Sequence, residues 1–119
     1  MSRILYIQTS GIDTPERLYA PFVLSSMAVA MGIEASIFFM IRGVTVMKKG
    51  AAEQIRIGEF PALNIMRDKA LADGVKAYVC EQSVQLLGMA RGDFIDDAKI
   101  AGAATVNDLA LEADAVISL

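Results

Sequence analysis

The sequence predicts an α/β domain: a five-stranded parallel sheet with helices on both faces, a three-layer α/β/α sandwich occupying residues 1–119. Three observations predict it. Short apolar runs alternate with helical patterns from one end of the chain to the other, and such alternation gives parallel strands joined by right-handed crossovers. The runs are nearly continuous in apolar residues, as strands buried on both faces are. At 119 residues and 55% hydrophobic, the chain suits a single domain whose core closes without staples.

Taken in order, residues 3–9 (RILYIQT) form the first strand and residues 10–13 the loop after it. Thr14 is placed to cap a helix and Pro15 suits its first position, while Pro21, about two turns on, is expected to kink or restart it. The helical pattern continues over 22–30 and ends at Met31-Gly32, and residues 33–40 (IEASIFFM) are the second strand. Residues 41–60, punctuated by Gly43, Gly50 and Gly58, have no clear pattern beyond a short helix or irregular arm at 44–49. A loop of that length is uncommon unless it is functional or carries an interface. A helix over 62–72 presents Leu63, Met66 and Ala70 on one face. The third strand is 75–79, a helix runs from Cys80 to Leu87, and a helical turn follows at 91–95. Residues 99–101 are a brief fourth strand, Thr105 and Asp108 resemble a capping box for a helix reaching Ala113, and 115–119 (AVISL) is the fifth strand.

Composition excludes several classes of function. The net charge is −3 with a pI near 4.8, which offers no overall basis for nucleic-acid binding. The charge is uneven: residues 42–56 carry a net +3 and residues 91–119 a net −4. The chain has no histidine and one cysteine. Serine–histidine and cysteine–histidine catalysis are therefore excluded within one chain, as are an internal disulfide and a dithiol cycle. A transition-metal site would have to be shared between subunits or built from carboxylates, and no cofactor or metal is expected. The apolar run 18–41 is divided at Met31-Gly32 and reads as a buried helix and strand, with no membrane contact. Ser2-Arg3 leads directly into a strand pattern, so the cytoplasm is the expected compartment.

The sharpest chemical feature is Cys80, at the join of the third strand and the next helix. Ligands collect at the carboxyl ends of strands in open α/β sheets. A helix start offers free N–H groups that favour a thiolate, and Gln82 and Ser83 are placed to donate to the sulfur. The Glu81 carboxylate acts in the opposite sense. With no second cysteine, one-sulfur chemistry remains: carrying a persulfide, forming a mixed disulfide with a partner, or oxidation. The alternative is that Cys80 is a small buried hydrophobe, as free cysteines commonly are. Gly102 and Thr105 begin a second helix whose N–H groups could lie near the sulfur. Arg42, Lys48 and Lys49 could steer an acidic partner or hold an anion, or simply form a solvated face. Gly11 and its loop could form a phosphate nest.

The stretch Val75-Lys76-Ala77-Tyr78-Val79-Cys80 with Ser83 and Leu86-Leu87-Gly88-Met89 resembles the DsrE/DsrF family of small sulfur-relay proteins. Three other pieces agree in order: Thr14 to Arg17 through Ala20-Pro21-Phe22 to Gly32; Phe38-Phe39-Met40 with Gly43-Val44 and Lys48-Lys49-Gly50; and Asp93 to Asp96 with Gly102 and Ala113-Asp114. The resemblance implies a DsrEFH-like sandwich assembling as homotrimers or homohexamers. It implies a cytoplasmic sulfurtransferase-type carrier with Cys80 as acceptor, holding sulfane sulfur as a persulfide or thiosulfonate. It further implies protein donors and acceptors, such as rhodanese-like enzymes and TusA-like carriers, serving sulfur oxidation or tRNA thiolation. The Cys80-Glu81-Gln82-Ser83 context is closest to the DsrE branch linked to sulfur oxidation. Two other readings stand beside it: a non-catalytic oligomeric interaction or small-molecule-binding subunit with Cys80 merely packed, and a thiol redox sensor.

Overall fold

The computed structural model describes residues 1–119, and every expected strand is present. The strands are β1 (Arg3–Gln8), β2 (Glu34–Phe39), β3 (Lys76–Cys80), β4 (Ala98–Ala101) and β5 (Ala115–Ser118). The helices are α1 (Tyr19–Ala30), α2 (Leu63–Ala72), α3 (Glu81–Leu86) and α4 (Ala103–Glu112). The sheet is parallel throughout, in the order β4-β3-β2-β1-β5. No helix is long and apolar enough to cross a membrane.

Strand order and handedness together place the helices. The steps β1→β2 and β2→β3 move in one direction, so right-handed crossovers put α1 and α2 on the same face. The step β4→β5 returns across the sheet, which puts α4 on the other face. Side chains agree: Phe22 of α1 packs on Phe39 at 6.0 Å between centroids, and Tyr6 Oη donates to the Leu24 carbonyl at 3.3 Å. On the opposite face, Leu109 of α4 and Ala113 just after it line a groove with Leu5, Ser36 and Tyr78. The α1/α2 face is sealed by fully buried Phe22, Ile37, Phe39, Leu63 and Val79. No residue of α4 is fully buried, so the second layer is thin.

Several local expectations need correction. Thr14 does not cap a helix; its hydroxyl donates to the Gly11 carbonyl (3.2 Å), and Pro15–Arg17 is a separate 3₁₀ turn. The helix restarts at Tyr19, with Pro21 third in it, where a missing N–H costs nothing because the first four have no intrahelical partner. Thr105 is likewise no cap: α4 starts at Ala103 behind Gly102, and Thr105 lies in its first turn. In α2 the buried residues are Leu63, Arg67 and Ala70. Arg67 reaches Glu53 (3.5 Å) and Asp68 (3.0 Å) and leaves its Nη1 buried without a partner.

The patternless arm is the largest revision. Residues Ile41–Met47 form a long 3₁₀ turn and Ala52–Gln54 a second. Lys48 pairs with Phe94 in an antiparallel bridge, flanked by Lys49 N to Asp93 O and Ile95 N to Met47 O. Val44, Val46, Met47, Ala52 and Ile55 are all buried, so these residues of the arm pack on their own chain. Two glycines make this possible. A side chain on Gly43 would collide with the Gln8 carbonyl oxygen, and one on Gly11 with the Arg42 carbonyl and Thr45 Oγ1. The Gly11 loop is thus filled by the arm rather than open to a phosphate.

At the amino ends of the strands, Arg3 bonds Glu34 (2.9 Å), and Lys76 approaches the same carboxylate at 3.6 Å. The Arg3 guanidinium, by hydrogen bond and charge and with help from Lys76, holds the Glu34 carboxyl below the usual carboxylate range. A depressed folded-state pKa stabilises the fold above the unfolded value, and that contribution is lost as pH falls through the folded one. The destabilisation caused by Glu34→Gln, read by denaturant unfolding, is therefore expected at neutral pH and should shrink to nothing in acid. Gly43→Ala should destabilise by about 2–3 kcal/mol, because its methyl overpacks rigid backbone. Gly92→Ala, in open space, should stay within about 0.5 kcal/mol of wild type in the same measurement.

Candidate functional site

Cys80 closes β3, and its backbone (φ −69°, ψ 119°) is still extended as the chain turns into α3. Its register partner on β4 is Ala101, followed by Gly102 and the start of α4. The β3→β4 step runs the same way as β1→β2, so the chain leaves β3 towards the α1 side, while α4 leaves β4 towards the other. Neighbouring strands whose connections diverge to opposite faces open a crevice at their carboxyl ends. Cys80 and Gly102 sit at that switch point.

The sulfur side chain is inside. Cys80 is 4% exposed and belongs to the apolar core. The turn Ile41–Met47 packs against both β3 and α3, the two elements that Cys80 joins. Ser83 is also buried, and its Oγ accepts the Ile41 N–H at 2.7 Å. Ser83 therefore ties the first residue of the turn to α3. Ile41 itself has φ +55° and is the one non-glycine residue in the left-handed region. For a β-branched side chain that conformation is an outlier costing about 1–3 kcal/mol, and it persists where surrounding contacts over-determine it.

The other expected residues divide. Gly102 lies beside the junction: a side chain there would meet Glu81 Oε2 at 3.9 Å. Thr105 is half-buried in the first turn of α4. Gln82 is exposed on α3. Arg42 is exposed and directly follows Ile41, with its carbonyl accepting Thr45 Oγ1 at 2.6 Å. Lys48 and Lys49 line a different hollow with Ile12, Gly50 and Gln54, and Cys80 takes no part in lining it.

Two contributors were not found from the sequence. Arg91 donates to Glu81 Oε1 at 3.1 Å, so the carboxylate next to the cysteine is paired with a cation. The separation of ten residues matches no helical spacing, and no local pattern could have indicated it. Ile41 carried no signal either, because β-branched residues are poor guests at positive φ. Arg91→Ala, which leaves the Glu81 charge unopposed, should slow Cys80 modification by anionic disulfides about two- to threefold at low salt and leave a neutral thiosulfonate reagent unaffected. Stopped-flow or quench labelling with the two reagents measures this directly.

Comparison with known proteins adds to this geometry. The family described as DsrE/DsrF-like matches residues 2–119. An uncharacterised protein of Methanocaldococcus jannaschii is 31% identical over 105 residues, covering 88% of this chain; the chain spans 38% of that protein's length. The sulfur carrier protein DsrE2 of Allochromatium vinosum is 27% identical over 136 residues, with 81% of this chain and 86% of that protein covered. Among solved structures, the ychN protein from E. coli superposes with a TM-score of 0.75 at 20% identity, and both chains are fully covered. The protein of unknown function MTH1491 from Methanobacterium thermoautotrophicum gives 0.73 at 16%, again over both whole chains. These last two share the fold.

Proposed function

The chain belongs to the DsrE/DsrF-like family, and from that premise we propose that it is a sulfur carrier that accepts sulfane sulfur on Cys80 and passes it to a partner protein. The observation that carries this reading is the position of the sole cysteine, at the carboxyl end of β3 and the switch point of the sheet. Similarity to a named sulfur carrier over most of both chains supports it.

The chemistry is thiolate exchange. The Cys80 thiolate attacks the outer sulfur of a donor persulfide; the new S–S bond forms as the donor's breaks, and the donor leaves as its thiolate. An acceptor thiolate then attacks the terminal sulfur, and the Cys80 thiolate leaves. A thiosulfonate moves by the same exchange. Each transfer breaks one S–S bond and makes one, so no oxidant is consumed. Donor and acceptor on this reading are proteins, rhodanese-like and TusA-like, working in the cytoplasm and in sulfur oxidation.

Assembly into homotrimers or homohexamers belongs to the same proposal. Helix α1 contains no charged residue, yet Val23, Leu24 and Met27 are exposed along it, and Met31 just past its end. This spacing makes an apolar stripe of the kind that marks an interface. Sedimentation is expected to show a multimer, and a purely monomeric chain would overturn this part.

The burial of Cys80 favours one competing reading, in which the cysteine is only packed and the protein is a non-catalytic subunit. That reading predicts that the native thiol resists alkylation and that Cys80→Ser keeps partner binding. The carrier reading predicts that wild type, incubated with thiosulfate, polysulfide or a persulfidated protein, gains the mass of added sulfur, and that Cys80→Ser does not. Intact-protein mass spectrometry decides. A wild type that gains no mass beyond what Cys80→Ser gains would sink the carrier reading.

A further inference from the structure

The sheet ends in two open edges, β4 and β5. An open edge presents unpaired N–H and C=O groups, and proteins blunt it with charge or proline. On β4 the charged Lys99 stands within the strand, and Asp96 and Asp97 come just before it. Strand β5 (AVIS) has neither charge nor proline. Its Ala115, Val116 and Ser118 are exposed, although strands of a parallel sheet are normally covered on both faces. We infer that β5 pairs antiparallel with β5 of a second copy of this chain, joining two sheets about a two-fold axis. This rests on the proposal that the chain assembles, and it adds the surface and symmetry of one contact.

The hydrogen bonds to β1 show which groups face outward. Leu119 donates its N–H to the Ile7 carbonyl (2.7 Å), and its own carbonyl accepts the Thr9 N–H (3.0 Å). Alternation along the strand turns the N–H and C=O groups of Val116 and Ser118 to the open side. A two-fold axis at Ile117 sets Val116 opposite Ser118 of the partner subunit. That is a hydrogen-bonded antiparallel pair, so the outward groups of both residues are satisfied. The contact is self-complementary, as a two-fold interface must be. Asp114, the nearest charge before the strand, is carried about 20 Å from its own copy. The same operation on β4 would bring Lys99 close to a second Lys99, which is destabilising. In the joined sheet the two β3 strands lie on the order of 30 Å apart, so each Cys80 remains a solitary thiol.

The edge and the α1 stripe use different residues, so the two contacts are broken one at a time, with sedimentation of the full chain as the readout. Val116→Lys, at a position 46% exposed, sets like charges across the axis and should halve the mass of the assembly. Met27→Lys, on the α1 stripe, should leave a dimer. A second measurement uses the Cys80→Ser chain. There Ile117→Cys faces its own copy at the axis, and diamide, which takes up the two thiol hydrogens, should link the pair at least tenfold faster than it links Leu111→Cys, an exposed helix position. Val116→Lys sedimenting as wild type overturns the edge pairing, and so does Ile117→Cys linking no faster than Leu111→Cys. Should Val116→Lys fail to fold, the linking rates carry the test alone. The two contacts fail separately: a Met27→Lys protein that is monomeric removes the edge pairing and leaves the stripe, and a wild type that is only a dimer, unchanged by Met27→Lys, does the reverse.

Discussion

The close approach of the 41–47 turn to the carboxyl end of β1 governs the rest of the molecule. Gly43 lies directly on the Gln8 carbonyl, and Gly11 directly on that of Arg42. Only residues without a Cβ allow backbone to meet backbone in this way. Because the turn is held there, Val44, Val46 and Met47 enter the core, and a segment of unpatterned sequence becomes a packed wall. The same placement brings Ile41 to Ser83 of α3.

Charge at the site is local and balanced. Glu81 would set a negative charge beside the sulfur, but Arg91 pairs with it on the surface. Exposed pairs of this kind contribute about 0–1 kcal/mol to stability, so the interest of this one lies in the field near the cysteine rather than in holding the fold. The basic residues divide by position: Arg42 stands at the lip of the turn, and Lys48 and Lys49 belong to a separate hollow.

Much of the fold was legible in the sequence. The strands were readable because they are short, apolar and bounded by turn residues, and α2 because its apolar positions repeat at helical spacing. Caps were less legible. Thr14 and Thr105 have the right residue type, yet Thr14 makes no side-chain cap and Thr105 lies inside the first turn of α4. The buried Arg67 was missed because a helix position that buries an arginine looks polar until its partners, Glu53 and Asp68, are known. The arm was illegible because 3₁₀ turns have no apolar period of their own, and its burial depends on where two distant glycines let it sit.

By itself the sequence determined the α/β class, the order of elements and the family, and it narrowed the chemistry to one thiol at a strand end. Those properties depend on composition and on patterns within ten or so residues. The tertiary structure decided that Cys80 is covered, that Ser83 holds Ile41, that Arg91 faces Glu81, and that Ile41 is strained. Each of these depends on residues far apart in the chain, such as 41 with 83 or 8 with 43. Their meeting is set by strand order and crossover handedness, which no local periodicity encodes.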